Sequence, residues 1–181
     1  CSIAAVTAAL NGLTGLPEMA SQTVMTQEDL LDLTGSDLWA SLSAEGGDGV
    51  TFAQLVEFAG MGAAAVGLPD GVEGWQPTEA TEATLAEVRA RLAANEESAQ
   101  DALLVYFNQG VVTGDWDGPH VSVIGAYDAE ADKVLILEVD QEWYIPYWTP
   151  TPVLLKPMLK PTSAEHGVLE GETGGLVHIV K

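Results

Sequence analysis

The single cysteine of this chain, Cys1, stands at the head of an apolar segment, CSIAAVTAALNGL, in which Ile3, Val6 and Leu10 recur at helical spacing. A thiol at the N-terminal end of a helix lies at the positive end of the helix dipole, which favours the thiolate. Three roles fit this position: a lipidated lipoprotein terminus, an N-terminal nucleophile with its own α-amine as base, or a nucleophile at a helix head whose upstream segment is absent from this chain.

Histidine, the usual partner of such a thiol, occurs three times, as His120, His166 and His178. His166 lies in a polar loop and His178 among apolar residues, so both are predicted to be structural or solvated. His120 differs because it begins an apolar segment, His120–Tyr127, with the character of a strand.

A second strand, Lys133–Val139, follows after a loop of hairpin length. Because side chains alternate along strands, the hairpin brings His120 opposite Glu138 or Asp140, and pairing alone does not choose between the two acids. An imidazole beside a carboxylate is the base-and-orienter half of a nucleophilic triad. Cys1 supplies the third member if its helix packs against this sheet.

The elements that must position these residues follow a simple order. Helical patterns dominate the N-terminal half and strand patterns begin at residue 103, so we predict an α+β fold in which N-terminal helices, including the nucleophile helix, pack on a C-terminal antiparallel sheet. Residues 60–83, which include Pro69, are predicted to be a loop with one strand near 64–66. The proline-rich residues 146–157 are predicted to be irregular, and Leu176–Val180 to be a final strand.

Composition limits the possible functions. The chain has 181 residues, enough for one domain, which we expect to span 1–181. With 27 acidic and 6 basic side chains it carries a formal charge of −21, which argues against binding to nucleic acid or to an anionic membrane. No apolar run reaches the length of about 18 residues that a membrane helix needs. We expect a soluble protein, with the cytoplasm preferred, and a lone cysteine allows no internal disulfide and no cysteine metal site.

Several motifs together resemble the phytochelatin synthase family. The segment after His120, HVSVIGAYDAEADKVLILEV, is similar to the family's His…Asp segment, and residues 143–150, WYIPYWTP, are similar to the aromatic and proline-rich run that follows it. The opening CSIAAVTAALNGL resembles the nucleophile helix. TQEDLL (26–31) and GVTFAQLVEFAGMGA (49–63) also match the family's pattern, so the resemblance covers nearly the whole chain in order.

The resemblance implies a papain-like fold with a triad of Cys1 as nucleophile, His120 as general base and acid, and Glu138 as orienter, with Asp140 as a competing acid. Enzymes of this family attack the Cys–Gly bond of glutathione, release glycine and hold a γ-glutamylcysteinyl thioester, which passes to a second glutathione or to water. The expected partner is therefore a small peptide or an amide or thioester substrate that resembles glutathione. No cofactor and no metal are expected, and the oligomeric state stays open.

The chain departs from the family at four places. Glu138 stands where the family has Asp, Gln141 stands where an Arg contributes to the substrate site, and Pro119 stands where Gly is usual. The family's oxyanion-hole Gln would lie upstream of Cys1, outside this chain. Because the only arginines, Arg89 and Arg91, fall on a predicted exposed helix, the thioester chemistry is better supported than glutathione as its substrate.

Two alternatives stay open. One is an N-terminal-nucleophile amidohydrolase, in which the α-amine of Cys1 is the base and His120 is incidental. The other is a non-catalytic lipoprotein or binding domain. Within the papain-like interpretation, the short chain favours hydrolysis or a single acyl transfer over the synthesis of long metal-chelating polymers.

Overall fold

In the part of the chain that the structure describes, helices precede the first strand, and the later helices are interleaved with a sheet. The computed structural model describes residues 1–15, 17–19, 21–68 and 71–181. The helices of these residues are α1 (Ser2–Thr14), α2 (Gln27–Thr34), α3 (Asp37–Ser43), α4 (Phe52–Ala65), α5 (Glu82–Glu96), α6 (Gln109–Thr113), α7 (Thr151–Leu159) and a 3-10 helix (Ala164–Leu169). None of them combines the length and the apolar character that crossing a membrane requires.

The strands of the described residues are β1 (Val72–Trp75), β2 (Asp101–Asn108), β3 (Pro119–Asp128), β4 (Lys133–Leu137), β5 (Tyr147–Pro150) and β6 (Gly175–Val180). They form one six-stranded sheet in the order β1-β6-β2-β3-β4-β5, and every neighbouring pair is antiparallel. The final strand enters the interior of the sheet between β1 and β2. The α+β prediction, the β3–β4 hairpin and the C-terminal strand are therefore confirmed.

Helices cover both faces of this sheet. On one face, Val6 and Leu10 of α1 pack with Val121 of β3, together with residues of α2 and α4. On the other face, α5 and α7 pack on the sheet, where Leu154 contacts the cluster that contains Phe107. Helix α1 therefore lies against β2 and β3, the two central strands of the sheet.

The helix starts follow from local hydrogen bonds. At α2 the Thr26 side chain accepts the Asp29 amide while Asp29 accepts the Thr26 amide, and Thr51 with Gln54 forms the same reciprocal pair at α4. Each such box satisfies two backbone groups that a helix terminus leaves without intrahelical partners.

The loop prediction for residues 60–83 was wrong in part. Helix α4 continues through Ala65, and the strand of this stretch is Val72–Trp75 rather than residues 64–66; Pro69 lies outside the described residues. Glycine lowers helix propensity, but a Cβ at Gly62 would lie 3.1 Å from Leu10 Cδ1. Gly62 therefore lets α4 pack closely on α1, and this packing outweighs the low helix propensity of glycine.

The prediction of an irregular segment at 146–157 was also wrong. Residues Tyr147–Pro150 form β5, and α7 starts immediately afterwards with a proline in its first turn. Proline is tolerated there because the first amides of a helix have no intrahelical acceptor. Pro150 and Pro152 therefore mark the boundary between β5 and α7, whereas Pro157 lies inside α7.

Candidate active site

Cys1 is the N-cap residue of α1, and its side chain is exposed. The next residue anchors it: Ser2 is buried, and its Oγ accepts a 3.2 Å hydrogen bond from Nε1 of the fully buried Trp39. The Trp39 ring stacks on Phe58 with 5.1 Å between ring centroids. The buried contacts of Ser2 and Trp39 thus fix the start of α1, and the Cys1 thiol is exposed beside them.

His120 lies at the start of β3, opposite Phe107 of β2. It is only 4% exposed, and its ring meets the Phe107 ring edge to face with centroids 5.8 Å apart. Its Nε2 atom is hydrogen-bonded to Oε1 of Glu138. This bond occupies one ring nitrogen and leaves Nδ1 for a second partner.

Glu138 directly follows β4 and is 1% exposed. Besides His120, its Oε1 atom accepts the Ser122 hydroxyl at 2.9 Å and the Val139 and Asp140 amides at 2.9 and 3.3 Å. A buried carboxylate needs such donors to stay ionised. These contacts fix both its charge and its orientation.

The second oxygen of Glu138 has its own donor. Gln109 is 2% exposed and donates from Nε2 to Oε2 at 3.2 Å. Burial, the largest influence, would raise the pKa of Glu138, but the hydrogen bond and charge of His120 and the Ser122 hydrogen bond outweigh it and hold this pKa below its ordinary value. The carboxylate is therefore kept in the charged form that orients an imidazole.

An irregularity in the β3–β4 hairpin places His120 and Glu138 on the same face of the sheet. The pairs Ala126↔Leu135 and Ile124↔Ile136 lie on either side of Gly125, so β3 carries one extra residue there. A Cβ at Gly125 would lie 2.6 Å from Cγ of Leu137, which only glycine avoids. This is a β-bulge.

The bulge decides which face the acid occupies. Continued one residue beyond the last observed pair, the register places Glu138 opposite Ser122 and on the same face as His120. Without the extra residue, every side chain of β4 beyond it would change face relative to β3. The even-numbered residues of the two strands share a face, as the sequence predicted, because of this bulge.

Cys1 and His120 both line one open cavity of about 740 Å³. The other lining residues are Ala4, Gln27, Gln109, Asp115, Trp116, Pro119, Val139, Asp140, Trp143 and Tyr144. Cys1 also borders a smaller cavity of about 210 Å³, whose walls include Ser2, Tyr106 and Val121. The thiol therefore lies where two cavities of different size meet.

Asp140, the competing acid, is exposed and lines the large cavity. Its amide donates to Glu138, whereas within the described residues its carboxylate makes no hydrogen bond to His120.

Several cavity residues escaped the sequence analysis. Asp115 and Trp116 belong to a turn that no sequence pattern placed near Cys1, and Gln109 begins the short helix α6. One signal was available: these residues connect β2 to β3, so they must lie at the end of the sheet where His120 starts. In the described residues no group of three or more His, Cys, Asp or Glu side chains is arranged to hold a metal ion.

Two comparisons with known proteins bear on this arrangement. The family model described as phytochelatin synthase matches residues 1–166. Glutathione gamma-glutamylcysteinyltransferase 3 from Lotus japonicus is 36% identical over 73 residues, which are 40% of this chain and 15% of that relative. The chain thus spans a small part of the relative's length. Because the family model covers most of its residues, the chain belongs to the phytochelatin synthase family.

Proposed function

We propose that this chain is a cysteine-dependent acyltransferase or amidase that forms a thioester on Cys1, with His120 as general base and acid and Glu138 as the orienter of His120. The observation that carries the proposal is the buried hydrogen bond between His120 and Glu138. His120 lines the same cavity as Cys1, which stands at the start of a helix. A carboxylate that holds one ring nitrogen fixes the tautomer and stabilises the imidazolium.

The first half of the reaction uses these positions in turn. Nδ1 of His120 takes the Cys1 proton, and the dipole of α1 favours the resulting thiolate. The sulfur attacks the substrate's amide carbonyl, and backbone N–H groups at the start of α1, which have no intrahelical acceptors, stabilise the oxyanion. His120 then protonates the leaving amine as the C–N bond breaks, which leaves a thioester on Cys1.

The second half resolves the thioester. His120 removes a proton from an incoming acceptor, the acceptor's bond to the acyl carbon forms, and the C–S bond breaks to return the Cys1 thiol. Glu138 stays ionised throughout, because Ser122, Gln109 and two backbone amides continue to donate to it. The smaller cavity beside Cys1 offers space of amino-acid size for one end of the substrate.

The relative's name supplies the first substrate to test, since it is a glutathione gamma-glutamylcysteinyltransferase. For this chain we propose a γ-glutamylcysteinyl group taken from glutathione, with glycine as the leaving amine. We also propose that residues 1–181 form one catalytic domain. This is supported by the position of β6 between β1 and β2, although the family model ends at residue 166.

The substitution His120→Ala tests the triad, because it should abolish acylation of Cys1 if His120 is the base and should leave acylation nearly intact if it is not. His178→Ala is the matched control, since His178 pairs with Asp101 and does not line the cavity.

A further inference from the structure

The small cavity of about 210 Å³ lies directly beside Cys1. Among the described residues that line it there is no Asp, Glu, Lys, Arg or His, although the chain has 27 acidic residues. Val50, Val121 and Leu169 are buried and contribute apolar surface to its walls. The Tyr106 hydroxyl uses its proton in a 3.0 Å hydrogen bond to the Val50 carbonyl oxygen. An unpaired charge is unfavourable in such surroundings, whereas an uncharged group is accepted.

The two cavities that meet at Cys1 are not equivalent. Of the residues that the structure describes, His120 lines the large cavity but not the small one. In the proposed reaction His120 protonates the leaving amine and later takes a proton from the acceptor, so both must come within hydrogen-bond reach of its ring. The leaving amine and the acceptor therefore enter by the large cavity. The acyl residue, which stays on the sulfur between these two steps, is left with the small cavity.

Leu169 closes one side of the small cavity. It ends the 3-10 helix, is buried, and lies beyond residue 166, where the match to the family model ends. A Cβ at Gly49 would lie 3.2 Å from Cδ1 of Leu169, so the leucine side chain reaches the loop between α3 and α4. Leu169 therefore forms a wall between the C-terminal segment and this loop.

Hydrogen bonds hold the segment around Leu169 in place. The Thr162 amide donates to the Glu172 carbonyl oxygen at 2.8 Å, and the Gly171 amide donates to the Thr162 carbonyl oxygen at 2.9 Å. The Glu172 carboxylate accepts the Phe52 amide, at the start of α4, at 3.0 Å. Because these bonds fix the backbone of the segment, the side chain at position 169 determines how much of the cavity is free.

From these features we infer that the small cavity binds the side chain of the residue whose carbonyl carbon forms the thioester on Cys1, that this side chain is uncharged, and that Leu169 limits its size. A dry cavity of about 150 Å³ holds one benzene ring, so a space of about 210 Å³ accommodates a side chain of up to about one ring. The inference rests on the proposed function, and the cysteine side chain of glutathione meets both conditions.

A pair of donor peptides tests the preference for an uncharged side chain. In γ-Glu-Met-Gly and γ-Glu-Lys-Gly the middle side chains have about the same length, and only the lysine is charged. The general attraction of a chain with net charge −21 favours the lysine peptide, whereas the small cavity favours methionine. We expect the kcat/KM for acylation of Cys1 to be at least about tenfold higher with the methionine peptide. Equal values, or a preference for lysine, overturn the inference.

Variants of the 3-10 helix test the limit on size. Wild type should acylate Cys1 from γ-Glu-Met-Gly at least about tenfold better than from γ-Glu-Trp-Gly, and Leu169→Ala should reduce this preference at least about fivefold. Val168→Ala is the matched control, because Val168 lies on the same helix, is 71% exposed and is outside the described walls of the cavity. It should change the preference less than about twofold. If Leu169→Ala keeps the wild-type preference, Leu169 does not set the limit and the inference is wrong.

A second variant fills the cavity instead of enlarging it, and it decides the question if Leu169→Ala does not fold. Ala44 lines the small cavity and is exposed, so Ala44→Leu adds volume there without disturbing the core. This variant should increase the preference for glutathione over γ-Glu-Met-Gly at least about fivefold. Unchanged selectivity in Ala44→Leu, with circular dichroism as the check on folding, overturns the inference.

Binding without chemistry separates this inference from the proposed function. Cys1→Ala removes the nucleophile from the full chain, and calorimetry then measures the Kd of each donor peptide. If the peptides acylate wild type with no selectivity for the middle side chain, the proposed function stands and the inference fails. If none acylates wild type but Cys1→Ala binds the methionine peptide most tightly, and Leu169→Ala in that chain removes its advantage over the tryptophan peptide, the pocket is confirmed and the proposed function fails. If there is neither acylation nor binding, both are wrong.

Discussion

Glu138 holds the ring of His120 across a diagonal of the β3–β4 pair rather than straight across it. The strand register, continued past its last pair, sets Asp140 opposite His120, yet the hydrogen bond goes to Glu138. Diagonal neighbours in a sheet are farther apart than direct ones, and the glutamate has one methylene more than an aspartate with which to reach. The longer side chain of Glu138 therefore spans the diagonal to His120.

The first prediction separates the two acids. Glu138→Gln keeps the shape of the side chain but removes the charge that orients His120, so acylation of Cys1 should fall by on the order of a hundred- to ten-thousandfold. Asp140→Asn should reduce it much less. Single-turnover acylation followed by intact-protein mass spectrometry measures both, with circular dichroism as the check on folding. If the 140 variant fails and the 138 variant acylates normally, Asp140 is the triad acid.

A second prediction concerns the β-bulge. Gly125→Ala adds a methyl group where Leu137 leaves no room, so it should disturb the alignment of β4 and lower the acylation rate. Leu137→Ala in the same chain removes the obstructing side chain and should restore much of the rate. Leu137→Ala alone is the control and should be close to wild type, because Leu137 is 39% exposed. Failure of the second substitution to rescue the first would mean that Gly125 does not act through this contact.

A third prediction follows from the lowered pKa of Glu138. The pKa of the Glu138 carboxyl group in the folded protein lies below its ordinary value of 4.5. Such a group stabilises the fold above pH 4.5, and this stabilisation is lost as the pH falls through the lower folded-state pKa. Wild type should therefore be more stable than Glu138→Gln at pH 7, and the difference should shrink towards pH 3. Urea unfolding of both proteins across this range measures it. A difference that grows on acidification contradicts the prediction.

A fourth prediction concerns the thiol. If Cys1 forms a thiolate–imidazolium pair, its alkylation by iodoacetamide should stay fast well below pH 8.5, about the ordinary pKa of cysteine. In His120→Ala the inflection should move up towards that value. A single inflection near the ordinary pKa in wild type would show that the pair is not formed.

The contact between His120 and Glu138 could be predicted because the period of two along a hairpin relates positions that are far apart in the chain. Cys1 was singled out separately, as the lone cysteine at the head of a helical pattern, and its role as nucleophile stays a prediction. The one-residue bulge at Gly125 sets both Glu138 and Asp140 on the face of His120, so strand pairing alone does not choose between the two acids. The cavity walls at Trp116 and Trp143 were missed because loops between elements have no period from which a direction can be read.

The most direct test of the account is the covalent intermediate itself. The chain is incubated with glutathione or its glycine carboxamide, quenched in acid, and the adduct is located by mass spectrometry of the Cys1 peptide. The account predicts a γ-glutamylcysteinyl thioester on Cys1 in wild type and in His178→Ala, and none in His120→Ala on the same timescale. Acylation of His120→Ala at the wild-type rate would contradict the role of His120 as the base and, with it, the triad.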